Sequence, residues 1–181
     1  MLLTELAVHR LDLVIADGPI PAGVSVRGFS HSLGDCGISF FAAPQLANKL
    51  DKDFPHNLSG APLLMPGGTT VVQGRLLKWF DGLHIYPRIV GEFDDSALMK
   101  AFGRSGAGVF IAPTPIAAEV EKQYGVVVIG QTDKVRDHFY AISVERKISH
   151  PAVAAITETA REWLMPDITR HRKKEKSKES V

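Results

Sequence analysis

The feature that most constrains the fold of this chain is an alternation of short apolar runs with segments of helical periodicity. Several runs, such as GVFIAP, are apolar on consecutive residues rather than on every second one. A strand of that kind is buried on both faces, as in a mostly parallel sheet covered by helices. The pattern therefore predicts an α/β fold. The predicted strands are 11–16, 37–42, 61–65, 85–93, 107–112, 126–130 and 139–145.

Helical patterns occupy the segments between these runs. The spacing of Thr70 and Gln73 is that of a capping box, and the helix that follows is predicted to end near Gly82. Asp95 or Ser96 is predicted to cap a second helix, because short polar side chains accept hydrogen bonds from the first N–H groups. Further helices are predicted at the N-terminus, from a Thr114 cap with Pro115 in the first turn, and from His150-Pro151.

The charge distribution argues against nucleic acid as a direct partner of the main body. The formal net charge is +1, but segment 166–181 alone carries six Lys/Arg and three Asp/Glu. The rest of the chain therefore has a net charge of about −2 and offers no strong attraction for a polyanion. The segment 166–181 itself is predicted to be a charged, disordered tail.

The cellular location is predicted from cysteine usage and from the apolar runs. Cys36 is the single cysteine, so the chain forms no internal disulfide, which suits a reducing cytoplasm. A structural thiol is the favoured role for Cys36. No apolar run approaches the roughly 20 residues of a membrane helix, and the first residues lack the pattern of a secretory signal. A cytoplasmic protein without membrane contact is expected.

A search for catalytic and cofactor motifs gives no match. The chain has no GxGxxG, no phosphate-binding GxxxxGK, no HExxH, no CxxC and no GxSxG. The seven histidines are scattered without metal-ligand spacing. We therefore predict no enzyme, no catalytic residue, no metal-ligating residue and no resident cofactor.

Polar residues follow three predicted strands, at the ends where α/β sheets bind ligands. Backbone N–H groups at a helix start, with hydroxyls beside them, suit an anion or a small polar ligand. Carboxylates in the same turns would instead favour a hard cation. For any single one of these residues a plain cap or turn is the favoured interpretation, because a cap looks identical in sequence. The candidate effector-binding residues are Gly68, Thr69, Thr70, Asp95, Ser96 and Asp17.

The order of several motifs carries a family resemblance. LDLVIAD, NLSGAPLLMP, GAGVFIAPT and HPAVAAITETAREWL occur in this sequence in that order. From about Leu2 to Leu164 the chain resembles the effector-binding domain of LysR-type transcription regulators. Segment 92–153 is similar, more narrowly, to the members of that family that activate a sodium/proton antiporter gene.

The resemblance implies a periplasmic-binding-protein-like fold of two lobes joined by two crossing strands. The first lobe would comprise residues 1–40 and 142–165, and the second residues 41–141. The ligand pocket of the family lies between the lobes, and Thr69 and Thr70 align with the helix start that contacts effectors. The implied function is effector sensing and oligomerisation, with sodium or lithium ion as the signal.

The resemblance also implies partners and missing parts. Domains of this family pair side by side, so a homo-oligomer is expected, together with a small ligand or ion. The family's winged helix-turn-helix, which contacts DNA, has no counterpart here, and neither do the first strand, first helix and second strand of the sensing domain. We therefore expect an N-terminally truncated chain with an incomplete first lobe and no sequence-specific DNA binding of its own. The alternative is a stand-alone small-solute-binding module, and an enzyme on the same fold comes third.

Overall fold

The computed structural model describes residues 2–20, 23, 27–67, 70–146 and 150–164. The predicted tail 166–181 and the site residues Gly68 and Thr69 lie outside these ranges. The described helices are α1 (Leu2–Ala7), α2 (Pro44–Ala47), α3 (Val71–Gly82), α4 (Ser96–Arg104), α5 (Ala117–Tyr124) and α6 (Pro151–Leu164), with 3-10 turns at His56–Leu58 and Thr114–Ile116. The strands are β1 (Val14–Ala16), β2 (Phe29–Ala42), β3 (Pro62–Pro66), β4 (Arg88–Phe93), β5 (Phe110–Pro113) and β6 (Val127–Ser143).

The chain divides into two compact units. Unit 1 is drawn from residues 1–35 and 138–181, and unit 2 is the continuous segment 36–137. Strands β2 and β6 each pass from one unit to the other. The divisions fall a few residues before those predicted at 40 and 141, because neither strand is interrupted by a turn that would mark a boundary.

The strand pairings are of both kinds. Strands β3 and β4 are parallel, with Pro62 opposite Arg88 and Pro66 opposite Phe93. Strands β2 and β5 are antiparallel, and so are β1 and β6 in unit 1. The prediction of a mostly parallel sheet is therefore right for β3–β4 and wrong for these two pairs. Consecutive apolar residues indicate burial on both faces, which an antiparallel strand can also have.

Two apolar clusters in unit 2 explain the consecutive apolar residues of its strands. Neighbouring strand residues point to opposite faces, so Leu63 joins one cluster and Leu64 the other. Phe40 and Phe41 divide in the same way and are both fully buried. The first cluster includes Val72, Leu76 and Phe80 of α3; the second contains Met99 of α4 and Val120 of α5.

Unit 1 has a smaller core. Leu6 of α1, Val14 of β1 and Ile142 of β6 form it, and Val14 lies directly opposite Ile142 in the antiparallel pair. Helix α6 contributes the buried residues Val153 and Thr157. No described helix combines the length and apolar character needed to cross a membrane.

Three details differ from the sequence-based predictions. Strand β2 begins at Phe29, eight residues before the predicted start, and β6 is one strand where two were predicted. Both additions are polar segments that pairing recruits into strands despite the absence of an apolar pattern. Thr114 lies inside a 3-10 turn rather than at a helix cap, and its Oγ1 accepts a hydrogen bond from Ser39 Oγ at 3.0 Å.

Candidate functional site

Two of the three predicted turns meet at one edge of unit 2. Strands β3 and β4 are parallel, with a register shift between Leu63 and Leu64, and they end side by side with Pro66 opposite Phe93. The next residue, Gly67, donates its backbone N–H to the Phe93 carbonyl at 2.7 Å. The carboxylate of Asp94 packs against Gly67, in the space that a β-carbon would fill. The turns that begin α3 and α4 are therefore neighbours.

Thr70 begins α3 but does not cap it with its side chain. Its hydroxyl instead donates to the Gly67 carbonyl at 2.9 Å, and its backbone N–H donates to the same oxygen at 3.0 Å. The predicted capping box of Thr70 and Gln73 is therefore wrong. The hydroxyl proton closes the turn that leads into the helix, while the hydroxyl oxygen keeps its capacity to accept.

Asp95 caps α4, as predicted. Its Oδ1 accepts hydrogen bonds from the backbone N–H groups of Ala97 at 2.7 Å and Leu98 at 3.2 Å. Ser96 is the first residue of the helix and is exposed. Part of the Asp95 carboxylate is thus committed to the helix start, which leaves the hydroxyl of Ser96 and the carboxylate of Asp94 as the more accessible oxygen groups of this turn.

Asp17, the last predicted site residue, belongs to unit 1. It directly follows β1 and is exposed. Unit 2 therefore brings together Thr70, Asp95 and Ser96, whereas Asp17 lies in the other unit.

Two charged residues on the helices that begin at this edge were not predicted from sequence. Lys100 of α4 is half-buried, and burial lowers its pKa from the ordinary 10.5, while the negative charge of Asp95 acts in the opposite direction. Arg75 of α3 donates to the Arg136 carbonyl of β6 at 2.6 Å. The sequence does not indicate these contacts, because a lysine or arginine on a helix usually keeps its charged end in water.

The chemistry available at this edge is that of helix starts and oxygen groups. Within the described ranges, no group of three or more His, Cys, Asp or Glu side chains is placed to hold a metal ion. The two turns contain the N-terminal ends of α3 and α4, whose free N–H groups are partly positive. A carboxylate and two hydroxyls lie beside these ends. Such an arrangement can bind a small polar ligand or a weakly held ion.

A second surface feature lies along β4, on the α3 side. A pocket of about 250 Å³ is bordered by Leu77 and Phe80 of α3 and by Ile85, Tyr86 and Ile89 at and before β4. Tyr86 is 63% exposed and Ile89 44% exposed. In the described part of the chain β4 pairs with β3 on one side only, so its other edge presents unpaired backbone groups.

The family described as "LysR substrate binding domain" matches residues 1–165 of this sequence. The chain belongs to that family. The Escherichia coli (strain K12) transcriptional activator protein NhaR is 40% identical to this LysR substrate-binding domain over 159 residues, which is 88% of the chain. The chain spans about half of NhaR, 52% of its length.

Solved LysR structures show the same fold. The effector domain of the regulator AmpR from Pseudomonas aeruginosa superposes with a TM-score of 0.65 at 20% identity, covering 92% of this chain and 78% of that one. The effector-binding domain of QuiR, in complex with shikimate, gives a TM-score of 0.63 at 16% identity with the same coverage. The predicted α/β, periplasmic-binding-protein-like, two-lobed fold is confirmed.

Proposed function

We propose that this chain is the effector-sensing and oligomerising domain of a LysR-type transcription activator that responds to sodium or lithium ion. The observation that carries the proposal is the 40% identity to NhaR over 159 residues, together with the family match over residues 1–165. A regulator of this kind works in the cytoplasm and contacts DNA through a helix-turn-helix domain. We therefore propose that this chain binds the effector and does not itself bind promoter DNA.

The effector is proposed to bind at the turns that begin α3 and α4. Gly68, Thr69 and Thr70 would supply backbone groups and hydroxyls. Oxygen atoms from carboxylates, hydroxyls and backbone carbonyls are the ligands that hard cations prefer. The proposal assigns effector contacts to Asp95 and Ser96 as well, with Asp94 added because its carboxylate packs against Gly67.

Thermal unfolding tests the cation. A ligand that binds only the native state raises its stability by mass action, by about 1.4 kcal/mol at ten times the Kd. The melting temperature is measured in NaCl, LiCl and KCl at equal ionic strength. Sodium or lithium is expected to raise it more than potassium, and Asp94→Asn is expected to remove the difference. Asp81→Asn, at an exposed position of α3, is the matched control. Equal shifts in all three salts would contradict a cation site.

Oligomerisation is proposed to use the open edge of β4. Tyr86, Ile89 and Val90 expose apolar surface there, at 63%, 44% and 39%. A pairing surface of this kind is disrupted by a charged side chain. Sedimentation of Ile89→Lys is expected to show a smaller species than the unaltered chain. Leu98→Lys, at a 51% exposed apolar residue of α4, is the control and should leave the mass unchanged. A monomeric unaltered chain would contradict the proposal.

The second candidate is a stand-alone module that binds small organic solutes. The QuiR domain with shikimate is an example of this fold holding an organic acid, and backbone N–H groups at the start of α3 suit a carboxylate. Calorimetric titration with shikimate in potassium buffer separates the two candidates. If shikimate binds with measurable heat and sodium has no effect on stability, the small-solute-binding module is favoured. If the chain alone protects promoter DNA in a footprint, the proposal that it binds effector but not DNA is contradicted.

A further inference from the structure

A polar contact joins helix α3, which begins at the candidate effector turn, to a strand that crosses between the units. Helix α3 begins at Val71, directly after the turn from Gly67 to Thr70. One turn into the helix, Arg75 Nη1 donates to the backbone carbonyl of Arg136 at 2.6 Å. Arg136 stands in β6 immediately before the strand leaves unit 2 after residue 137.

The same stretch of β6 shares a buried apolar cluster with α3. Val135 is only 1% exposed and belongs to the same core cluster as Val72 and Leu76 of α3. These two helix residues flank Arg75 in sequence, at the spacing of one helical turn. The helix and β6 therefore bury residues in one cluster, and at the residue next to Val135 a charge-assisted hydrogen bond joins them directly.

Strand β2 approaches β6 closely a few residues before Arg136. A β-carbon on Gly37 of β2 would lie 2.7 Å from the carbonyl oxygen of Thr132 and would overlap the carboxylate of Asp133. Glycine at position 37 thus permits a close approach of β2 to β6. Close-packed segments transmit a displacement rather than absorbing it.

We propose that Arg75 is a positioning residue that couples the hydrogen-bonded pair of Gly67 and Thr70, at the start of α3, to strand β6. The inference rests on the proposed function, because it takes this helix start as the effector site. The five helical residues from Val71 to Arg75 span about 7.5 Å of continuous helix, short enough to move as one body. A change at the turn shifts Arg75, and the planar guanidinium carries the shift to the Arg136 carbonyl. Strand β6 then carries it out of unit 2 along the chain.

The proposal is tested without any ligand by perturbing the turn itself. Thr70→Val removes the hydroxyl that donates to Gly67 while keeping the side-chain volume. Amide hydrogen exchange of residues 133–138 is measured in the whole chain for Thr70→Val, Arg75→Met and the double variant. Lys78→Met, at an exposed position of α3, replaces Arg75→Met in the control series.

Thr70→Val is expected to accelerate exchange in 133–138 about threefold when Arg75 is present, a typical size for coupling between sites. In the Arg75→Met background the same change is expected to have almost no effect, while in the Lys78→Met background the threefold effect persists. Equal acceleration in all backgrounds would overturn the role of Arg75. If Arg75→Met fails to unfold cooperatively, Arg75→Lys, which loses the planar fork, is judged by the same criterion.

Failure of this proposal is distinguishable from failure of the proposed function. The exchange experiment contains no sodium-dependent step, so it reports on the connection between the turn and β6 alone. A chain that shows no sodium response can still show the coupling. A chain that responds to sodium but lacks the coupling refutes only the role of Arg75.

Discussion

The carboxylate of Asp94 occupies the space that a β-carbon on Gly67 would need. These residues follow two parallel strands that end side by side, so the contact lies between the turns that begin α3 and α4. It also places a negative charge beside the start of α3, where the partly positive N–H groups of the helix point. The pair Gly67–Asp94 is thus the local determinant of the candidate site's shape and charge.

Gly67→Ala is expected to displace the Asp94 side chain and to weaken the sodium response. Because Asp94 is exposed and can rotate away, the cost in the free energy of unfolding should stay below about 1 kcal/mol. Urea titration measures the stability and thermal shift in NaCl measures the response. In an Asp94→Ala background the carboxylate is gone and only the tight contact with the backbone Cα of residue 94, at 3.3 Å, remains. Gly67→Ala should therefore cost less there; an equal cost in both backgrounds would contradict the contact.

Two helical glycines should respond to alanine in opposite directions. A β-carbon on Gly74 of α3 would extend into open space, so Gly74→Ala should raise the free energy of unfolding by about 0.5–1 kcal/mol through helix propensity. A β-carbon on Gly103 of α4 would overlap the ring of Phe110, which is fully buried. Gly103→Ala should therefore lower stability by about 1–3 kcal/mol. Chemical denaturation of both variants checks the prediction, and stabilisation by Gly103→Ala would show that the ring has room to move.

The cap on α4 should be measurable by substitution. Asp95→Ala removes the acceptor for the N–H groups of Ala97 and Leu98, and a loss of about 1 kcal/mol in unfolding free energy is expected. Ser96→Ala, one residue further on at an exposed position, serves as the control and should change stability by less than about 0.5 kcal/mol. Comparable losses in the two variants would mean that the turn as a whole, rather than the Asp95 cap, sets the stability.

Lys100 should give the protein a pH-dependent stability in the alkaline range. Burial lowers the pKa of Lys100 below the 10.5 of the unfolded chain, despite the opposing charge of Asp95. Between the lowered pKa and 10.5 the unfolded state binds more protons, so this residue makes stability rise with pH. The contribution is fully present above 10.5 and is lost as pH falls through the lowered pKa.

The measurement compares Lys100→Met with the unaltered chain by urea titration at several alkaline pH values. The substitution should stabilise the protein near neutral pH, where it removes a half-buried charge, and its advantage should shrink as the pH rises. Lys122→Met, at an exposed position of α5, is the control and should show no such trend. A constant difference between Lys100→Met and the unaltered chain would rule out the linkage.

The parts of the fold that could be predicted are the buried strands, because burial requires apolar residues and these form runs that are visible in the sequence. Leu63 and Leu64 pack into opposite clusters, which is why their strand is apolar on consecutive residues and recognisable. The first residues of β2 and the middle of β6 are polar, and pairing with other strands makes them extended. Strand pairing depends on residues far away in sequence, so a local pattern does not contain it.

The candidate site was predictable in location but not in detail. That Asp95 lies at a helix start follows from its position before an amphipathic segment. Whether a hydroxyl donates backwards, as Thr70 does to Gly67, or caps the helix depends on the backbone angles of the turn. The contact of Arg75 with Arg136 joins residues about 60 positions apart and leaves no local signature.

The division of the chain has a consequence for the order in which the protein acquires its structure. Unit 2 is one continuous segment, whereas the two pieces of unit 1 are separated by about 100 residues. Contacts between distant segments carry a larger loop-closure cost and form more slowly than local ones. During synthesis unit 2 is complete before the second piece of unit 1 emerges. Strand β1 therefore lacks its partner β6 until that strand is made, and the cluster of Leu6, Val14 and Ile142 forms only after that.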